Sequence, residues 1–330
     1  MKKFLIGMIT ILTAQAAYAA CSGYTDEELL KENAGDDRLV RSASSPKWLE
    51  AVGKFVYVKT PEWQLKKGDP KEYKHCSVSL VSDTVGGDGQ IVVGAGHCIV
   101  QWISGSSMKQ SPYVNELRQT ISGKHWERDT VHDWVFNKEN TVFIFTSHSG
   151  KVIKRRLADI FFAETDKGDY FIGKLDSPIP YSQIKPLLNA PADYSDLLDK
   201  KEFPGAFATM AGFSRDSGRG QHGKVMTYDN CKLAGGQNGK KMGHCFTYGG
   251  ASGGATTVTI DLSKADDENA DFWLEYIEET LNGKFERKAY TFWVGNIWGS
   301  RCNQAKTNRT FFTESTYHTR LLDAILHDHR

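Results

Sequence analysis

Three short stretches hold residues able to do chemistry together. The first, Val92-Val93-Gly94-Ala95-Gly96-His97-Cys98, is an apolar run that ends in small residues and delivers a histidine beside a cysteine. An imidazole titrates near neutral pH, so it suits proton transfer; it suits equally a structural role beside a disulfide. The second, Gly168-Asp169-Tyr170-Phe171-Ile172-Gly173-Lys174-Leu175-Asp176-Ser177-Pro178, sets an acid at the start of a buried run. Alone, that acid reads as well as a turn or strand-start residue. The third, Tyr248-Gly249-Gly250-Ala251-Ser252-Gly253-Gly254-Ala255, brackets a serine with glycines. A flexible linker would continue in Ser and Gly, whereas this stretch runs into Ala-Thr-Thr-Val-Thr-Ile, a strong strand pattern. A tight turn that presents the hydroxyl, with N–H groups converging on a developing oxyanion, is the better reading. Serine, histidine and carboxylate in concert make an activated nucleophile for acyl transfer.

Competing assignments are weaker. Asp133 sits in a polar stretch, and Asp176 follows its apolar run instead of starting it. A zinc site from His97, His125, His132 and His244 has no metal-ligand spacing, and two of the four adjoin cysteines.

Short strands must position these groups. Phe55–Val58, Cys76–Ser82, Ile91–Val93, Thr141–Thr146, Ile160–Ala163, Tyr170–Leu175, Ala206–Phe213, Lys224–Tyr228, Ala255–Asp261 and Tyr290–Trp298 are apolar or alternating and rich in β-formers. Glycine-rich turns such as Gly86-Gly87-Asp88-Gly89 separate them, which predicts an all-β barrel or sandwich. Two stretches break the rhythm and read as surface insertions: the polar residues 101–140, and residues 264–283, helical from about Asp267 with Phe272, Tyr276 and Leu281 at compatible spacing. Glu314–His327 reads as a terminal amphipathic helix with Leu321, Leu322, Ile325 and Leu326 on its apolar side.

The N-terminus speaks to compartment. Lys2 and Lys3, an apolar run from Phe4 to Leu12, and Ala17-Tyr18-Ala19 form the pattern of a cleaved signal peptide over residues 1–19. The run is far shorter than the ~20 residues that span a bilayer, so a protein without a membrane span, exported to the periplasm or secreted, is expected. Loss of Lys2 and Lys3 takes the formal charge from +1 to −1, which argues against nucleic-acid binding. Six cysteines in an exported chain suggest disulfides. Cys21 directly after the cleavage pattern is either a disulfide partner or a lipidated residue. Residues 20–46 form an N-terminal extension or propeptide, with a helix around Thr25–Asn33 and a linker from Ser42 to Pro46.

Taken in order, His97, Asp169 and Ser252, separated by 72 and 83 residues, resemble the trypsin/chymotrypsin superfamily of serine proteases, in its bacterial and glutamyl-endopeptidase-like branch. The His97 segment is similar to that family's Thr-Ala-Ala-His-Cys, the Asp169 segment to Asp-Ile-Ala-Leu-Leu-Lys-Leu, and the Ser252 segment to Gly-Asp-Ser-Gly-Gly-Pro. Ala211-Gly212-Phe213 resembles a Gly-Trp-Gly turn, and Val294-Gly295-Asn296-Ile297-Trp298-Gly299 the Gly-Ile-x-Trp-Gly strand beside substrate. The likeness covers roughly residues 47–326.

The resemblance implies two six-stranded antiparallel β-barrels and a C-terminal helix, the first barrel over 47–185 with His97 and Asp169, the second over 186–330 with Ser252. It implies a serine endopeptidase acting on protein or peptide substrates, with an oxyanion hole of the Gly250 and Ser252 N–H groups and no metal or cofactor. It pairs Cys76 with Cys98 and Cys231 with Cys245, and leaves Cys21 to Cys302. Substrate-binding residues would be Phe246, Thr247, Asn296, Ile297, Trp298 and Gly299. Phe246 stands where trypsin-like members carry an acid, and Ile297 where glutamyl endopeptidases carry a histidine, so an apolar preference is expected. The chain departs from the family pattern at Ala251 (usually an aspartate in zymogens), at Ala255, and at Gly94 and Gly96. A non-catalytic binding protein of the same fold is the competing reading.

Overall fold

The structure, a computed structural model, describes residues 36–58, 66–68, 73–99, 142–164, 169–190, 207–231, 233–237, 240–243, 245–281, 284–301, 309–313, 322 and 324–327. The leader over 1–19, the Thr25–Asn33 helix, the 101–140 insertion, Cys21 and Cys302 lie outside them. No helix among the described residues is long and apolar enough to cross a membrane.

The protein is mostly β-sheet with few helices. Its strands form one hydrogen-bonded network that curls as a half barrel. Strands β1 (Leu39–Val40), β2 (Val52–Val58), β3 (Tyr73–Ser82) and β4 (Gly89–Gly94) are followed by a single helical turn, α1 (Gly96–Ile99). Next come β5 (Val142–Thr146), β6 (Val152–Arg155), β7 (Leu157–Glu164), β8 (Tyr170–Ile179) and β9 (Leu187–Asn189). The rest of the chain gives β10 (Phe207–Gly212), β11 (Thr227–Cys231), β12 (Leu233–Gln237), β13 (Lys240–Gly243), β14 (Ala255–Asp261), helix α2 (Asp267–Thr280), β15 (Ala289–Arg301) and β16 (Arg309–Thr313).

Pairing sorts these strands into two groups. In the first, the hydrogen-bonded order is β6-β5-β2-β3-β4-β8-β7, all antiparallel. In the second it is β1-β11-β10-β14-β15-β16-β13-β12, again antiparallel. β9 joins them by parallel pairing with β3 on one side and β15 on the other. The apolar side chains gather in two clusters, the first filled mainly by the first group but reached also by Ala211, Tyr228 and Trp293 of the second. Leu80, Val92, Phe143, Phe171 and Ile172 fill the first, and Met210, Val258, Ile260, Trp273 and Val294 the second.

Two elements behave differently from the sequence expectation. β1 and β11 tie the N-terminal segment to the second group, although the chain goes on into the first. Helix α2 keeps an exposed face at the surface, and its other face belongs to the second core. Asp266 caps it, accepting from the Asn269 N–H at 2.8 Å, and Ala270, Trp273 and Ile277 bury one stripe in the second core. Of the three residues the spacing singled out, Leu281 is buried and Tyr276 packs partly buried against the same core, while Phe272 is 37 % exposed and stacks on Tyr276; Trp273, 2 % exposed, fills the core in its place. At the chain's end, Leu322, Ile325 and Leu326 are buried against the first core, on the side the apolar pattern assigned.

Candidate active site

His97 sits on α1, immediately after β4. Gly94 ends that strand opposite Phe171 of β8, and a Cβ there would come within 2.5 Å of the Phe171 ring. The missing side chain lets β8 close over β4, which brings the start of β8 to α1. Asp169 stands just before β8 with φ of 52°, a left-handed conformation costing a non-glycine residue about 1–2 kcal/mol. Its carboxylate, 2 % exposed, accepts twice from one residue: from the His97 backbone N–H at 2.7 Å and from His97 Nδ1 at 2.5 Å. A carboxylate only accepts, so Nδ1 carries the hydrogen and Nε2 of the neutral ring is left as an acceptor. The His97 side chain keeps 30 % of its surface exposed. Asp176 is exposed on β8, and Asp133 lies outside the described residues.

Asn296 holds Asp169 from behind. Its Nδ2 donates to the Asp169 carbonyl at 3.3 Å, and the side chain is fully buried, with Oδ1 unpartnered among the described residues.

Ser252 lies in a double turn. Ala251 N–H donates to Tyr248 O at 3.0 Å with Gly250 at φ 98°, and Gly254 N–H donates to Ala251 O at 2.8 Å with Gly253 at φ 81°. Both carry positive φ at the third position, the type II arrangement, so the sequence needs glycine at 250 and 253. Every carbonyl from Tyr248 to Ser252 is then taken. Gly249 O accepts from Arg215 N–H at 2.6 Å, Gly250 O from Ser77 Oγ at 2.9 Å, and Ser252 O from Ser77 N–H at 2.8 Å. With the acceptors turned inward, the N–H groups of Gly250 and Ser252 have no acceptor among the described residues. That is an unusual surplus of donors flanking one hydroxyl.

Strand β3 joins the histidine and the serine. Cys76 is bonded to Cys98, the residue after His97, with Cα atoms 6.1 Å apart. The next residue, Ser77, takes both Gly250 and Ser252 carbonyls, and its hydroxyl accepts from Phe213 N–H at 2.8 Å. Gly253 completes the joint, since a Cβ on it would fall 2.3 Å from Ser77 O and 2.9 Å from Ala95 N. Sequence reasoning missed Ser77; its one signal was its place after a disulfide cysteine in a buried run. The cluster Cys76, His97 and Cys98 is compact enough for a metal, but its sulfurs are joined to each other and are not thiolates, so the donor set does not suit one.

The remaining expected residues divide. Phe246 is half-buried, and its N–H donates to Asp229 Oδ2 at 2.8 Å; burial pushes that carboxyl up to about 6. Thr247 is buried, Trp298 half-buried, and Gly299 pairs with Phe311 of β16. Ile297 is buried, with its backbone bonded to Gly253 and Gly254. Cys231–Cys245 closes the loop before Phe246, with Cα atoms 5.2 Å apart. On the other flank His75 donates from Nε2 to Phe213 O at 3.1 Å; burial, with Lys54 and Arg215 close by, holds it down at about 4.

A scan against protein-family models finds no match to this chain, and a search of curated proteins finds none either.

Proposed function

We propose that the chain is an exported serine endopeptidase similar to the trypsin/chymotrypsin superfamily, with the two strand groups as its two barrels. The observation that carries this reading is the buried Asp169 carboxylate bonded twice to His97, on an element disulfide-linked to the strand that holds the Ser252 turn. The chemistry requires Ser252 Oγ within reach of His97 Nε2, and what supports this is that Cys98, the residue after His97, has its Sγ 4.0 Å from the Ser252 carbonyl.

Ser252 Oγ attacks the scissile carbonyl, and His97 Nε2 takes the hydroxyl proton. Asp169 keeps the imidazole oriented and balances the positive charge of the imidazolium. The carbonyl oxygen, now an oxyanion, is met by the Gly250 and Ser252 N–H groups. Collapse of the adduct breaks the C–N bond, and His97 returns the proton to the leaving amine. Water, activated by His97 in turn, hydrolyses the acyl-enzyme and restores Ser252. The compartment follows from the leader pattern and agrees with two disulfides.

The test is labelling of the mature protein by a fluorophosphonate probe beside Ser252→Ala and His97→Ala. Labelling that disappears in both variants supports the proposal. A folded wild type that does not label, with both disulfides formed, overturns it in favour of a binding protein.

A further inference from the structure

We infer that Arg38 is a positioning residue for the Ser252 turn, held there by the N-terminal segment; the inference rests on the serine-protease reading for the chemistry at Ser252. The Arg38 side chain is 1 % exposed, and all five of its N–H donors are used. Nε and Nη2 donate to the Asp36 carboxylate at 2.9 and 2.7 Å, Nη1 and Nη2 to Asp216 at 3.0 Å each, and Nη1 to Thr227 Oγ1 at 3.3 Å. The guanidinium lies 4.4 Å from the centre of the Tyr248 ring. These contacts hold its pKa above the ordinary arginine value in spite of burial, so the cation is permanent.

What the cation touches is the frame of the turn. Asp216, 2 % exposed, is the anchor of the 214–223 loop, accepting also from Gly220 N–H at 2.9 Å. The two residues before it bond to the turn: Arg215 N–H to Gly249 O at 2.6 Å, and Ser214 Oγ from Tyr248 N–H at 3.4 Å. Thr227, which Arg38 also contacts, donates to the same Ser214 hydroxyl at 3.4 Å. Tyr248, under the guanidinium, accepts at its carbonyl the Ala251 N–H that closes the turn. Arg38 thus reaches the turn through the ring of Tyr248, through the Ser214 hydroxyl and through the Arg215 backbone N–H. A bidentate, stacked guanidinium fixes both position and rotation, which a lysine ammonium does not.

The residue carrying this cation precedes the first strand group, and β1 beside it pairs with β11 of the second. Any trimming of the N-terminal extension compatible with an ordered turn therefore stops before Asp36, which pairs with Arg38, so residues 36–46 are part of the working protein.

Arg38→Lys, Arg38→Ala and Ser214→Ala separate positioning from folding. Ser214→Ala deletes one oxygen, so it keeps a folded variant in the set. Fluorophosphonate labelling rates are compared well below each variant's melting temperature, and hydrogen exchange is followed at the Ala251 amide. The expected result is labelling slowed by about tenfold or more in each variant. Ala251 protection is lost, KM for a peptide ester changes little, and guanidinium ion partly restores Arg38→Ala. Wild-type labelling and wild-type Ala251 protection in folded Arg38→Lys and Ser214→Ala would overturn the inference. A wild type that fails to label sinks the protease reading alone, because Ala251 protection still reports on Arg38.

Discussion

The Ser77 backbone N–H donates to the Ser252 carbonyl at 2.8 Å, while the Ser77 hydroxyl donates to the Gly250 carbonyl at 2.9 Å. One residue of the first strand group therefore sets both ends of the turn that belongs to the second. Its neighbour Cys76 is bonded beside His97, so the spacing of histidine and serine is set across two adjacent residues of β3.

Ser77→Ala should remove the hydroxyl that serves both Gly250 O and Phe213 N–H. Leaving a buried group unpaired costs about 1–3 kcal/mol. We expect a loss of that size in denaturant melts and labelling at Ser252 slowed by up to about a hundredfold. Ser77→Thr, which keeps the hydroxyl, should recover most of the labelling rate if its extra methyl is accommodated in this fully buried site.

Asn296→Ala should act on Asp169 and through it on His97. With the 3.3 Å bond to the Asp169 carbonyl gone, the left-handed conformation at Asp169 loses a restraint. Turnover of a peptide ester should fall roughly tenfold with KM nearly unchanged, equivalent to about 1.4 kcal/mol in the transition state. An unchanged kcat would show that the two bonds to His97 suffice.

Gly253→Ala and Gly86→Ala form a matched pair. Both glycines have φ near +80°, 81° and 82°, so both substitutions meet the left-handed penalty of about 1–2 kcal/mol. Only at Gly253 does the new Cβ strike backbone, 2.3 Å from Ser77 O; nothing lies within 4 Å at Gly86. The melting temperature of Gly253→Ala should fall well below that of Gly86→Ala, with labelling at Ser252 abolished only in the former.

His75 and Asp229 should give opposite pH dependences. His75 titrates near 4 in the fold against 6.5 ordinarily, so the unfolded chain takes the proton first and stability is lost as pH falls from about 6.5 to about 4. Asp229 titrates near 6 against 3.8, so the fold keeps its proton longer and stability is lost as pH rises from about 4 to about 6. In thermal melts, His75→Gln should flatten the acid limb. Asp229→Asn, which still accepts from Phe246 N–H, should stabilise above about pH 6 and not near pH 4. Parallel curves for variant and wild type would show that neither group is linked to folding.

Much of the fold is legible in the sequence because strand formation is local. The expected run Ala255–Asp261 agrees with β14 to the residue, and Tyr170–Leu175 and Ile91–Val93 fall inside longer observed strands. Short strands such as β1 and β9 carry no periodic signal and exist because a neighbour's edge accepts them. Helix α2 was legible as a helix, since its acidic first turn and apolar spacing are local. Its burial depended on which stripe the second core could accept: the sequence pattern included the buried Leu281 but pointed to Phe272 where Trp273 is the residue that enters the core.

The site divides along the same line. Residue type made His97, Asp169 and Ser252 candidates and the resemblance of their ordered motifs to a known superfamily singled them out as a set, while the glycines at 250 and 253 follow from the turn alone, because positive φ is a property of the local chain. The contacts that hold these residues were not readable. Ser77, Asn296 and Arg38 reach their partners across 173, 127 and 178 positions, and buried polar groups reveal their roles only when their hydrogen-bond partners are known. Sequence by itself determined which groups are available for chemistry; tertiary structure decided which of them are fixed, because orientation comes from long-range hydrogen bonds that no local pattern encodes.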